Sequence, residues 1–356
     1  MVRKLLYLLG TIVAFLLVFV FYPAQIDPQS WEAPRAPEME GSYQKNELLD
    51  NSELIALGEI YGPEDVALDA QGRIYGGTQD GYIKRVNLDG SVESWMKTGG
   101  RPLGLHFDSN ENLIVCDAYQ GLISISPEGE MEILSREADG ESFKFTNDLD
   151  IAADGKIYFT DASTRWNQSQ YKLDLLEMQP TGRFMVYDPE TQTTTVLMDE
   201  LYFANGVALS QNEDFVVINE TWKYRIHRYW LKGEKAGSSE IFIDNLPGFP
   251  DGISSNRNGT FWLALPTPRL ADVDKMHPKP WLKSIVSKLP DAFKPKPIAY
   301  GLVLGLNEQG EVIYNLQDTD GQVVKEITSV QEHDGYIYLG SLHNNRIGRY
   351  PLAELE

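Results

Sequence analysis

Four short segments carry an oxygen-bearing side chain at the same point of a recurring pattern. They are Glu64 in Gly62-Pro63-Glu64-Asp65-Val66, Asn147 in Thr146-Asn147-Asp148-Leu149, Asn205 in Ala204-Asn205-Gly206-Val207 and Asp251 in Pro250-Asp251-Gly252-Ile253. Each precedes an apolar-alternating run that reaches a turn, at Gln71-Gly72, Asp154-Gly155, Asn212-Glu213 and Asn258-Gly259. One Asn-Gly or Asp-Gly before a strand is ordinary turn chemistry. Four acidic or amide residues in one register are not. Brought to one point, two carboxylates and two amide oxygens make an all-oxygen shell that suits calcium, with two negative charges to balance one divalent cation. No Cys or His shares the register, which disfavours a soft metal.

The elements that must position this set repeat as well. The first unit runs Glu64–Asp69, Arg73–Thr78, Tyr82–Val86 and Ser91–Trp95, joined at Gly72, Gly81 and Gly90. Four short strands linked by glycine-bearing hairpin turns make one propeller blade. Self-similarity at this period predicts a six-bladed, all-β propeller over residues 52–356. Its slots are Glu64, Leu103, Asn147, Asn205, Asp251 and Thr328, spaced by 39, 44, 58, 46 and 77 residues. Only 28 residues follow Thr328, too few for four strands. The missing outer strand is expected from Glu53–Ile60, which removes a free sheet edge.

Strand direction puts the hairpins between second and third strands on the slot face. Both large insertions fall there, Trp166–Gly182 in blade three and Pro266–Ala299 in blade five. The second carries the amphipathic stretch Trp281–Leu289 and is read as lid-like or as a short surface helix. His343 and Glu220 also fall on this face. They are candidates to relay a proton beside the metal. Asp161 and Glu220 are positions to check for a second calcium. No Gly-x-Ser-x-Gly elbow is present, so an α/β-hydrolase triad has no support.

Ahead of the propeller, Leu5–Tyr22 is 18 residues without a charge, after Arg3 and Lys4. That length just spans a bilayer. Residues 1–22 are therefore expected to be an uncleaved, single-pass anchor with the propeller on the extracytoplasmic side. Residues Pro23–Asn51, rich in Pro, Glu and Gln, read as a tether. The net charge of −21 excludes a nucleic-acid partner. Cys116 is the single cysteine, so no intrachain disulfide forms, and its apolar strand suggests a buried thiol.

The slots and their surroundings carry a resemblance. Gly62–Asp69, Gly100–Leu105, Asp117–Leu122, Ala204–Ala208, Tyr224–Leu231, Leu246–Gly252 and Gln331–Gly335 resemble the strictosidine synthase-like family and, more distantly, the gluconolactonase–paraoxonase propellers. This likeness covers nearly everything after residue 50. It implies calcium in a central channel, held by Glu64, Asn147, Asn205 and Asp251, with Asp251 also assisting the attack of water. Two departures matter. Thr328 stands where true strictosidine synthases have a catalytic Glu, and it cannot act as a general acid or base. Phe145 stands where gluconolactonases have a sugar-gripping Arg, which implies a less polar substrate.

The expected function is a membrane-anchored, calcium-dependent hydrolase of small-molecule lactones or aryl esters. The alternative is a non-catalytic propeller, braced by calcium, that binds a ligand or partner. Strictosidine synthase-type condensation ranks below both.

Overall fold

The computed structural model describes residues 2–355. Six four-stranded antiparallel sheets form the molecule, each built from consecutive strands except the last. The innermost strands are Val66–Leu68, Pro102–Phe107, Thr146–Ile151, Ala204–Leu209, Ile253–Ser255 and Ile327–His333. Each begins within two residues of its slot residue. In the sixth sheet the outer strand is Glu53–Ile55, paired antiparallel with Ile347–Pro351. The chain therefore closes its ring with its own N-terminal strand, as the short C-terminal remainder requires.

Apolar faces of adjacent blades pack against one another, so most strands read as nearly all buried rather than alternating. Cys116 is among these buried residues. Threonine hydroxyls add polar staples between blades. Thr146 Oγ1 donates to Asp117 O at 2.6 Å, Thr160 to Asn205 O at 2.7 Å, Thr221 to Pro250 O at 2.7 Å and Thr328 to Glu64 O at 2.6 Å. Thr328 is thus occupied in joining blade six to blade one.

Four inner strands carry a β-bulge at the slot, between Pro102 and Leu105, Thr146 and Leu149, Ala204 and Val207, and Ile327 and Ser329. A bulge breaks the strict in–out alternation of a strand and re-aims one side chain. Here it turns the slot residue towards the axis.

Helix α1 (Val2–Phe21) covers the expected anchor and leaves Leu5, Leu6, Leu8 and Leu9 exposed. The side chains of residues 12–17 lie outside the described residues. Among the described residues no helix is long and apolar enough to cross a membrane, so the span expected over Leu5–Tyr22 is not found there. The blade-three insertion forms α2 (Tyr171–Glu177), and the blade-five insertion forms α3 (Ala271–Met276) and α4 (Pro280–Ser287).

The segment read as a tether is not free. It runs as a strap along the propeller wall. Gln29 N donates to Glu177 O at 2.8 Å, Asp27 N to the Glu177 carboxylate at 2.6 Å, and the buried Lys283 ammonium to Gln29 O at 2.5 Å. Trp31 packs edge-on to His277, 5.1 Å between ring centroids, under the Lys223 ammonium at 4.3 Å. Further along, Asn46 and Glu47 bond to blade five. A Pro-rich composition predicts extended backbone, and an extended chain can be bound along its length as easily as it can be solvated. Trp31→Ala is expected to free residues 27–35 and to lower stability by about 2 kcal/mol. Limited trypsin digestion checks this by accelerated cleavage after Arg35. An unchanged cleavage rate removes Trp31 as the anchor of the strap.

Candidate metal centre and active-site cavity

All six slot residues line one cavity on the insertion face, which holds roughly 850 Å³ of space, part of it open to solvent. Glu64, Asn147, Asn205, Asp251 and Thr328 form its floor with Leu103. Glu64, Asn147 and Asn205 are each less than a tenth exposed. The walls are apolar. Phe145 stands edge-on to Phe203 at 5.2 Å, Phe203 lies against Trp222 at 4.3 Å, and Trp222 meets Phe249 at 6.0 Å. Leu175 of α2 and Leu270 of the blade-five insertion also line it. Both insertions thus contribute walls, as two long loops on one face of a rigid scaffold should. Phe145 faces the cavity where a polar grip would otherwise be.

The floor is electrostatically unbalanced. Burial, and then the nearby Asp251 carboxylate, drive Glu64 well above the usual carboxylate range, opposed by the Arg101 guanidinium. Burial pushes Asp251 up to about 7, opposed by a hydrogen bond from Asn205. Asn205 Nδ2 donates to Asp251 Oδ1 at 2.8 Å and to Thr221 Oγ1 at 3.2 Å, and so the amide oxygen of Asn205 is left without a partner although it is buried. An unpaired buried acceptor costs about 1–3 kcal/mol. Two buried like charges and an orphaned acceptor on one floor are what a hard cation with oxygen ligands resolves. The donor set Glu64, Asn147, Asn205 and Asp251 therefore fits calcium.

Backbone contacts hold Asp251 in place. Its carbonyl oxygen accepts Gly206 N–H at 3.0 Å and the Asn219 side-chain amide. Gly252 N–H donates to Thr328 O at 2.8 Å, so blades four, five and six are tied at the slot level. A Cβ on Gly206 would lie 2.6 Å from Ile253 N and against Asp251 O. Neither backbone atom can yield without moving Asp251. Gly206→Ala is expected to lower stability by about 1–3 kcal/mol and to shrink the melting shift on adding calcium. Melting curves with and without calcium will report both.

The other expected site residues lie elsewhere. Glu220 is fully buried, but its carboxylate accepts Tyr202 N–H at 2.9 Å and pairs with Arg225 and with His227 at 2.7 Å. Asp161 likewise accepts Phe145 N–H at 2.8 Å and pairs with Arg183 at 2.8 Å. Asp117 does the same for Arg101 N–H at 3.0 Å. These three acids end the second strands of blades two to four and brace the chain leading into each slot. That role consumes their lone pairs and turns them away from the cavity. His343 is half exposed and pairs with Glu326, whereas its neighbour Leu342 faces the cavity.

Sequence reading passed over Asp65 and Asp148, one residue beyond two of the slots. Each carboxylate bridges blades, Asp65 accepting Val66 N–H and Leu105 N–H at 2.8 Å, and Asp148 accepting Leu149 N–H at 2.8 Å and Val207 N–H at 3.1 Å. An acid directly after an acid or amide in two slots was the available signal. Arg101 was also missed. It is buried and donates to Gly62 O at 3.1 Å and Gly77 O at 2.9 Å beside Glu64.

Comparison with known proteins bears on the fold and the family. Residues 147–234 match the strictosidine synthase family model and residues 41–86 the strictosidine synthase-like N-terminal model. The rat adipocyte plasma membrane-associated protein is 36% identical, over 93% of this chain and 94% of its own. Strictosidine synthase-like 6 of Arabidopsis thaliana is 38% identical, over 86% of this chain and 83% of its own. Among solved structures, a gluconolactonase of Xanthomonas campestris superposes with a TM-score of 0.62 at 16% identity, over 92% and 96% of the two chains. Regucalcin of Agrobacterium tumefaciens, a calcium-binding protein, superposes at 0.58 and 13%, over 86% and 93%. At such identities these two structures speak for the six-bladed fold alone. The two curated relatives speak for more, since each aligns over most of both chains: this chain belongs to the strictosidine synthase-like family that includes the adipocyte plasma membrane-associated proteins.

Proposed function

We propose that this protein is a calcium-dependent hydrolase of lactones or aryl esters. The observation that carries the reading is the floor, where Glu64, Asn147, Asn205 and Asp251 converge with an unpaired Asn205 oxygen beneath apolar walls. Calcium held there would supply a Lewis acid for the substrate carbonyl. Asp251 Oδ1 is engaged by Asn205, which orients the carboxylate and leaves Oδ2 to direct water and receive its proton. Phe145, Phe203 and Trp222 shield the reacting group from bulk water and favour an apolar substrate. Thr328 already donates to Glu64 O, which supports discounting strictosidine synthase-type condensation.

The test is hydrolysis by the full chain of a panel of lactones and phenyl esters, with calcium and with a chelator. Turnover that the chelator abolishes supports the reading. One observation favours a second reading, a calcium-braced binding propeller: among the described residues no histidine lines the cavity, so Asp251 stands without a companion base. Calcium-dependent stabilisation with no turnover on any substrate would select it.

Anchoring to a membrane through residues 1–22 belongs to the same proposal. It rests on the uncharged stretch Leu5–Tyr22 and on the relatives named plasma membrane-associated. Retention in the pellet after alkaline carbonate extraction supports it, and release to the supernatant rejects it.

A further inference from the structure

The rim of the cavity differs in charge from the rest of the molecule. The chain carries 52 acidic and 31 basic residues. Within Pro266–Ala299 the balance reverses, with Arg269 and six lysines against Asp272, Asp274 and Asp291. Two lysines line the cavity itself, Lys172 from α2 and Lys296 from the blade-five insertion, where Pro295 and Pro297 flank it. Lys172 Nζ pairs with Asp291 at 2.7 Å. Among the described residues Lys296 forms no ion pair. Asp291 lies within the field of Lys172, Lys294 and Lys296 together.

We propose that this rim is an anion-binding subsite, so that the substrate is an amphiphile: a reacting ester or lactone at the floor, an apolar body along the walls, and a carboxylate, sulfonate or phosphate at the mouth. The proposal rests on the hydrolase reading of the same cavity. At the floor, Glu64 and Asp251 are balanced by the divalent ion, so that end takes a neutral carbonyl. The aromatic walls offer little to a charged group. The rim lysines are the cavity's cationic end, and Asp291 is an exposed partner that an incoming anion can replace on Lys172 without burying a charge. In a chain of net charge −21, a local basic rim also offsets the repulsion an anionic substrate meets on approach.

Two fluorescent ligands with one skeleton test the subsite apart from turnover. Anilinonaphthalene sulfonate carries the anion and N-phenylnaphthylamine lacks it. Titrate both into the full chain in phosphatidylcholine nanodiscs, with empty discs subtracted. The sulfonate is expected to bind about 10-fold more tightly, the equivalent of about 1.4 kcal/mol. Lys172→Glu/Lys296→Glu should erase that preference and leave the neutral ligand unchanged. Equal affinities in the parent protein, or a preference that survives the double variant, would overturn the proposal.

A second arm compares 4-nitrophenyl hemiglutarate with 4-nitrophenyl valerate. Preference for the hemiglutarate, lost in the double variant, supports the subsite. Turnover of both esters at equal kcat/KM rejects the subsite and keeps the hydrolase. Sulfonate preference with no turnover of either ester rejects the hydrolase and keeps an anion-binding rim.

Discussion

On the hydrolase reading proposed above, Asp251→Asn is expected to lower turnover by about 1000-fold or more and to leave the propeller folded. The side chain is isosteric, and the asparagine oxygen still accepts the Asn205 amide that Asp251 Oδ1 accepts at 2.8 Å. Its backbone contacts to Gly206 and Asn219 do not involve the carboxylate. What disappears is the second oxygen that can take a proton from water, together with one of the two negative charges on the floor. Circular dichroism should be unchanged, and the melting shift on adding calcium should shrink. A variant with full activity would sink the assignment of Asp251. If the propeller only binds, the melting shift shrinks in the same way but there is no activity to lose.

Glu64→Gln should stabilise the calcium-free protein at pH 8 while destroying its response to calcium. Burial raises both floor carboxylates, and the Asp251 charge adds to the cost of ionising Glu64. The sign follows from linkage. Burial holds Asp251 at about 7 in the folded chain, far above the ordinary aspartate range. The folded chain therefore binds the proton more tightly, and this contribution is fully present below pH 4 and lost as pH rises through 7. Without metal, the ionised pair is a liability at pH 8, and neutralising Glu64 is expected to raise Tm by about 3–6 °C. Calcium takes only the ionised carboxylates, so its stabilisation runs the opposite way, small at pH 5 and about 5 °C or more at pH 8. Melting curves at pH 5, 6, 7 and 8, with calcium and with chelator, decide the matter. A calcium shift independent of pH, or one that survives Glu64→Gln, would remove Glu64 from the ligand set.

A propeller suits the proposed chemistry because the four proposed ligands come from separate blades. Each of Glu64, Asn147, Asn205 and Asp251 sits at the start of a short inner strand pinned to its neighbours by threonine and backbone hydrogen bonds. The floor is thus rigid before any ion arrives, while the walls belong to insertions that can diverge without disturbing it. Phe145 and the rim lysines are where the proposed substrate specificity would be set.

The six slots, the four-strand repeat and the ring closure by a strand within Glu53–Ile60 were legible in the sequence, and the strand observed is Glu53–Ile55. A period of two along a strand, a glycine at each hairpin and a fixed distance from slot to turn all lie within one blade. The convergence of Glu64, Asn147, Asn205 and Asp251 follows from that repeat once it is placed around an axis. Glu220 and His343 could not be judged this way. A strand-end residue can face the axis or the loop beside it, and only the partners available in three dimensions decide. For Glu220 these are Tyr202 N–H, Arg225 and His227, and they outcompete the cavity.

The strap shows the same boundary. Pro23–Asn51 has the composition of a linker, yet Trp31 meets His277 and Asp27 meets Glu177 across more than a hundred residues of chain. Such contacts carry no period. By itself, the sequence determined the repeat and the shared register of Glu64, Asn147, Asn205 and Asp251, whose oxygen atoms would suit a hard metal, because both the repeat and the register lie within one blade. The tertiary structure decided which acids face the axis, which brace loops, that the N-terminal segment is strapped to the folded domain, and that Lys172 and Lys296 line the cavity. Those outcomes depend on packing between distant elements, where the strongest available partner wins.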